Sequence, residues 1–139
     1  MKDRITCFKL HWYDWGLCCA DNAVQEEITV YRNKNILVIK ELNGYGVICS
    51  CEIIHIEVDK AEAFFELLEK ASVDWVDDYS VEVCDGSAWK MRMWRSSHKV
   101  KKVCGTVECP PHGKEIENLI RSYIIDGKST AEPRLFGCC

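Results

Sequence analysis

The stretch "CSCEIIH", residues 49–55, is the first place where residue types and spacing could do chemistry. In a strand the side chains alternate between faces, so Cys49, Cys51 and His55 would share one face. Thiolate and imidazole are zinc ligands, and Cys18-Cys19 and Cys104 are the further thiols that could complete a tetrahedral set. The paired C-x-x-C knuckles of structural zinc sites are absent, however, and the better expectation is buried thiols acting as small hydrophobes. A cysteine nucleophile needs a nearby base and a lowered pKa. With ten cysteines and four histidines some pairing arises by chance alone. No Gly-x-Ser-x-Gly elbow, phosphate-binding Gly-rich loop or HExxH occurs, and no two carboxylates stand in an acid/base frame. Neither catalysis nor a bound cofactor is expected.

Two further stretches point to binding. In "VCDGSAWKMRMWRSSHKVKKVCG", residues 83–105, Lys90, Arg92 and Trp94 share the face opposite Trp89 and Met91. The next strand adds Lys99 and Lys101 on one face and Lys102 on the other. A basic face with an exposed aromatic can hold phosphates or stack a base, although lysines on the wet face of an antiparallel sheet are ordinary. In "HWYDWGLCCADN", residues 11–22, Trp12, Tyr13 and Trp15 are crowded as interface anchors often are, or as a lid over an open sheet end would be. The acidic run "VDWVDDYS", with Asp74, Asp77 and Asp78, would flank such an anchor and mimic phosphate, or would form a solvated loop.

Composition narrows the classes. The chain has 139 residues, 47% of them hydrophobic, enough for one domain with a real core. No apolar run is long enough to span a membrane as a helix. The N-terminus lacks the apolar stretch and cleavage site of a signal peptide, so the cytoplasm is the expected compartment and the cysteines are expected to be reduced. The net charge of −4 is mild but unevenly spread. Eleven acids and two lysines lie between Glu52 and Asp85, whereas six lysines and arginines and no acid lie between Lys90 and Lys102. That asymmetry suits an oriented encounter with a charged partner, or two differently solvated faces.

The elements that must position these residues follow from periodicity. Displaced by about 52 residues, the hydrophobic pattern recurs without a gap, so that residues 25–72 and 77–125 form two like halves. Each half is predicted to run strand, turn, strand, turn, strand, helix. Tyr79, Val81 and Val83 alternate with polar residues, as do Trp89, Met91 and Met93, and Asp85-Gly86 between them is a hairpin signal. Asn33-Lys34-Asn35 and Asn43-Gly44 mark the turns of the first half. "DKAEAFFELLEKA" has Asp59 and Glu62 in capping-box spacing and a stripe of Phe64, Phe65, Leu68 and Ala71. A second helix follows Pro110-Pro111, with Ile116, Leu119, Ile120, Tyr123 and Ile124 on its apolar face. Residues 3–12 predict an N-terminal strand. The expected fold is α+β: two antiparallel meanders, with two helices covering one face. Residues 1–126 are expected to make a single domain and 127–139 a tail that is loose unless docked.

Residues 73–125 resemble a C-terminal segment of small, mostly uncharacterised proteins of Firmicutes and their mobile elements. The likeness rests on Trp75-x-x-x-Tyr79, then Asp85-Gly86-x-x-Trp89 with an alternating strand, then Gly105-x-x-x-x-Pro110 and an amphipathic helix. It implies a bacterial or phage origin and a hairpin–hairpin–helix unit, and it implies no activity. Ser96-Ser97-His98 stands where that pattern usually has a basic residue or glycine. The turn and strand chemistry account for Asp85, Gly86 and Trp89 as structural residues, with the Trp89 indole N–H in need of a partner.

The functional expectation is a non-catalytic bacterial or mobile-element protein that binds another protein, as an inhibitor or immunity-type protein does. The second expectation is an anionic ligand or nucleic acid on the basic strand face of Lys90, Arg92 and Lys101. The third is a cysteine-based enzyme or zinc protein. No membrane partner is expected.

Overall fold

Alternation decides the strands. In β1 (Ile5–Asp14) Phe8, Leu10 and Trp12 are buried while Lys9, His11 and Tyr13 are half-exposed, the two-residue period of a sheet with one wet face. The same period runs through the second half of β2 (Ala23–Tyr31) and much of β3 (Ile36–Asn43), β6 (Ser87–Arg95) and β7 (Val100–Gly105). β4 (Ile48–His55) and the two-residue β5 (Asp78–Tyr79) are more exposed. The computed structural model describes residues 3–14, 23–81, 87–106 and 108–136. Among these, α1 (Val58–Ala71) follows β4, a 3-10 turn spans Ser72–Asp74, and α2 (Gly113–Asp126) follows β7.

The strands form a seven-stranded, mostly antiparallel sheet in the order β4-β3-β2-β1-β6-β7-β5. The N-terminal strand is thus central and joins the two halves. This position overturns the expected second meander. β6 is flanked by β1 on one side and β7 on the other, so β5 has no place beside it. It pairs instead with the outer side of β7, in parallel, Asp78 to Cys104 and Tyr79 to Gly105. The Thr106 hydroxyl holds the continuation, accepting from Val81 N at 2.8 Å. Val83 and the Asp85-Gly86 turn lie outside the described residues.

One continuous core lies between the inner sheet face and the helices. The registers align its rows: Ile54, Leu37, Val30, Phe8 and Met93, then Ile39, Ile28, Leu10, Met91 and Val103. α1 adds Ala61, Phe64, Phe65, Leu68 and Ala71, and α2 adds Ile116, Ile120, Tyr123 and Ile124. Phe8 meets Phe64 edge-on at 5.4 Å. Each fully buried side chain of this size contributes roughly 1.5–3 kcal/mol. The Tyr123 hydroxyl donates to Lys60 O at 2.8 Å, and burial pushes its pKa up to about 12.

Glu62 is not a capping residue. The N-cap of α1 is Glu57, without a side-chain cap, and Glu62 instead faces Arg32. Arg32, only 4% exposed, sits just past β2 and donates twice to Glu62, at 2.7 and 3.0 Å, and to Glu69 and Ile5 O at 2.9 Å. A buried guanidinium is tolerable only when its fork is filled in this way. The arrangement ties the β2–β3 turn to α1.

The described part of the tail, residues 127–136, is docked, where a loose segment was expected. Leu135 and Phe136 are fully buried, and the Phe136 ring meets Trp89 edge-on at 4.9 Å. Phe136 N donates to Glu117 Oε2 at 3.2 Å and Arg121 donates to Pro133 O at 2.8 Å. Burial pushes the Glu117 carboxyl above its ordinary pKa. An aperiodic segment can therefore be core when single apolar residues fill a gap left by the regular elements.

The residues of the Trp75–Pro110 pattern pack on one another. Trp89 donates to Glu108 O at 2.9 Å and stacks with Tyr79 at 6.3 Å. Trp75 donates to Pro111 O at 2.8 Å. A Cβ at Gly105 would lie 2.5 Å from the Trp89 ring, so only glycine admits the indole there.

Candidate anion-binding face

The face of the sheet away from the helices is open, and the register decides which side chains meet on it. One row runs Ile53, Val38, Thr29, Lys9, Arg92, Lys102 across β4, β3, β2, β1, β6 and β7. The next runs Cys51, Lys40, Glu27, His11, Lys90, Cys104, and a third runs His55, Ile36, Tyr31, Cys7, Trp94, Val100. The β3–β4 end is therefore largely apolar and the β1–β6–β7 end strongly basic.

Lys9, Arg92 and Lys102 stand side by side on three adjacent strands. Arg95 N donates to Lys99 O, which makes Arg95–Lys99 a hydrogen-bonded pair. By alternation Arg92 and Lys102 then form a non-hydrogen-bonded pair, the closer kind, with Cα atoms about 4.5 Å apart. Like charges so placed repel. Glu27 is the acid of these rows, and it is shared: Lys9 Nζ lies 3.6 Å and His11 Nδ1 3.8 Å from it. Lys90, Arg92 and Lys102 are exposed and have no ion-pair partner among the described residues. His11 Nε2 contacts Gln25 Oε1 at 2.7 Å, and its ring meets Tyr13 edge-on at 5.9 Å. Lys90 Nζ lies over the Tyr13 ring at 5.6 Å. Half-exposed Trp94 closes one end of the patch.

The predicted site residues divide accordingly. Lys90, Arg92 and Trp94 share the open face, as their alternation with Trp89 and Met91 implies. Lys101 does not join them: it pairs with Met93, which is on the core face, and donates to Trp75 O at 3.2 Å. Lys102, expected on the face opposite Lys101 and outside the stripe, takes the place given to Lys101 by pairing with Arg92, while Lys99 sits in the β6–β7 turn. Lys9 and His11 were not expected; both alternate with Phe8, Leu10 and Trp12, and that period was the available signal. Their adjacency to β6 comes only from the sheet order.

Among the described residues the aromatic anchor is not assembled. Trp12 is 4% exposed, on the core face, with the Arg134 guanidinium over its ring at 4.7 Å. Tyr13 points to the opposite face, and Trp15 lies outside the described residues. Asp74, Asp77 and Asp78 are exposed, but β6 and β7 intervene between them and β1.

The described thiols do not converge either. Cys51 and His55 share the open face, but Cys49 is the extra residue where the β3–β4 register shifts, and the alternation that would have placed it with them is broken there. No cluster of three metal-ligating side chains occurs among the described residues. Cys18 and Cys19 lie outside them. Cys7, Cys49, Cys51 and Cys104 are free thiols, whereas Cys109 is disulfide-bonded, which corrects the expectation of reduced cysteines at that position. Burial pushes the Cys7 thiol up in pKa, and burial with the Asp78 carboxylate does the same for Cys104, the direction opposite to activation.

No helix among the described residues is long and apolar enough to cross a membrane. No protein-family model, curated protein or solved structure gives a match to this chain, so the register of its open face is the basis on which a function can be argued.

Proposed function

We propose that the protein is a non-catalytic binding module that takes an extended phosphate-bearing ligand, a single-stranded nucleic acid, on the open sheet face. The observation that carries this is the Lys9–Arg92–Lys102 row, with Lys90 beside it, three of the four cations having no acidic partner among the described residues of a chain whose net charge is −4. Like charges on adjacent strands cost folding free energy, and an anion laid across them removes that cost. Backbone phosphates about one nucleotide apart can follow the row, while half-exposed Trp94 offers a ring surface to a base at its margin. Such binding is sequence-tolerant and strongly salt-dependent.

Fluorescence anisotropy with labelled single-stranded DNA and RNA oligonucleotides, repeated over a salt series, tests this. The expected result is binding that weakens steeply with salt, falls at least tenfold in Arg92→Glu, and is unchanged in Lys99→Glu. Retention at low salt on neither oligonucleotide nor heparin overturns it, as does equal binding by Arg92→Glu.

A further inference from the structure

The edge strand β4 has the features of an interface. Each inner strand has a neighbour on both sides, but β4 ends the sheet. Ile56 N donates to Asn35 O at 2.8 Å, which fixes the alternation. Ile54 and Glu52 bond to β3, so the N–H and C=O groups of Cys51, Ile53 and His55 point away from the sheet. Native edges are usually blunted by lysine, proline or brevity. Residues 47–56 contain no proline, lysine or arginine, and Glu52 is their sole acid. The opposite edge, β5, is only two residues long. Beside the β4 edge Val47, Ile48 and Ile53 are each more than half exposed.

We infer that β4 pairs antiparallel with β4 of a second copy of this chain, about a two-fold axis at Ile53. The strand's own pattern suits a second copy as occupant, and its length and charges narrow the register: centring on Ile54 would set Cys51 opposite Glu57, beyond the end of the strand. In a two-fold antiparallel pairing, opposed residues must share a face. Centring on Glu52 would oppose two carboxylates at the closer spacing and is excluded by charge. Centring on Cys51 would run the ladder into the irregular position at Cys49. Centring on Ile53 opposes Ile53 to itself, Cys51 to His55 twice and Glu52 to Ile54 twice, with no like charges opposed and the outward groups of Cys51, Ile53 and His55 all bonded. The two-fold axis stands perpendicular to the sheet, so both basic rows face the same side. The seam is short, and a dimer of micromolar affinity is expected.

Sedimentation velocity from about 2 to 200 µM, with amide exchange by NMR at both ends of that range, tests the pairing. A concentration-dependent dimer is expected, with the amides of Cys51, Ile53 and His55 gaining protection on dimerisation while those of Glu52 and Ile54 are protected throughout. Ile53→Lys should abolish the dimer without unfolding the chain, because Ile53 is already exposed. Ile125→Lys, at a 72% exposed position on α2, should leave it intact. A wild type monomeric at the highest concentration overturns the inference. So does a dimer that survives Ile53→Lys, or protection gained at other amides. Anion binding by a monomeric protein would leave the function proposed above standing.

Discussion

Replacing Arg92 by threonine should stabilise the folded protein while weakening ligand binding, and both effects can be sized from the register. Arg92 faces Lys102 in the closer, non-hydrogen-bonded kind of pair and Lys9 in the wider, hydrogen-bonded kind. Each like-charged cross-strand pair costs roughly 0.2–1 kcal/mol, so removing both gives a gain of about 0.4–2 kcal/mol, with threonine well suited to the strand. The side chain is exposed, so no packing is lost in exchange. Urea unfolding followed by tryptophan fluorescence at low salt measures the gain. At about 1 M salt, where the screening length is only about 3 Å, the gain should shrink by more than half. On the binding side, the salt dependence of single-strand affinity should lose about 0.7 in log–log slope, the share of one phosphate contact. Lys99→Thr, in the turn, should change neither quantity. A destabilised Arg92→Thr, or a gain indifferent to salt, would show that the row is not under electrostatic strain, and the case for an anionic ligand would go with it.

Glu62 is held down to about 2 by Arg32, against an ordinary value of 4.5. A depressed carboxyl contributes stability that is present above pH 4.5 and lost as pH falls toward 2. Complete burial would put that contribution at about 3 kcal/mol, but the side chain is 35% exposed, which reduces it to about 1–2 kcal/mol. Glu62→Gln should therefore cost this much at neutral pH and almost nothing at the acid end, read from urea midpoints across pH. Gly105→Ala forces a methyl group to 2.5 Å from the Trp89 ring and should cost roughly 1–3 kcal/mol, seen as a lowered Tm. Phe136→Ala removes the ring packed edge-on against Trp89 and should cost about 3–5 kcal/mol; a loss below about 1 kcal/mol would mean the tail adds little to the core.

Periodicity made most of the elements legible. The alternation of Trp89, Met91 and Met93 with Lys90, Arg92 and Trp94 is a local property, and the structure keeps it, core on one side and charge on the other. The stripe through Phe64, Phe65 and Leu68 is equally local. Where two uses competed for one residue, local pattern misled. Glu62 has capping-box spacing, but a buried guanidinium from another element offers far more than an N-terminal cap. Trp12 looks like an anchor in an aromatic loop, yet its even position in β1 puts it beside Phe8 and Leu10 in the core. The tail carries no period at all, and Phe136 is buried because a gap beside Trp89 needs filling.

The chain by itself determined fold class, the two helices, the faces of β1 and β6, and the segregation of acid from base, because each depends on neighbours within a few residues. Only the tertiary structure decided that β1 lies between the halves, that β5 moves to the outside of β7, and hence that Lys9 and His11 stand beside Arg92 and Lys90. Strand order is a competition among edges for backbone hydrogen bonds, and every edge offers the same N–H and C=O groups. The winner is set by how the buried faces pack together, which no short stretch of sequence contains.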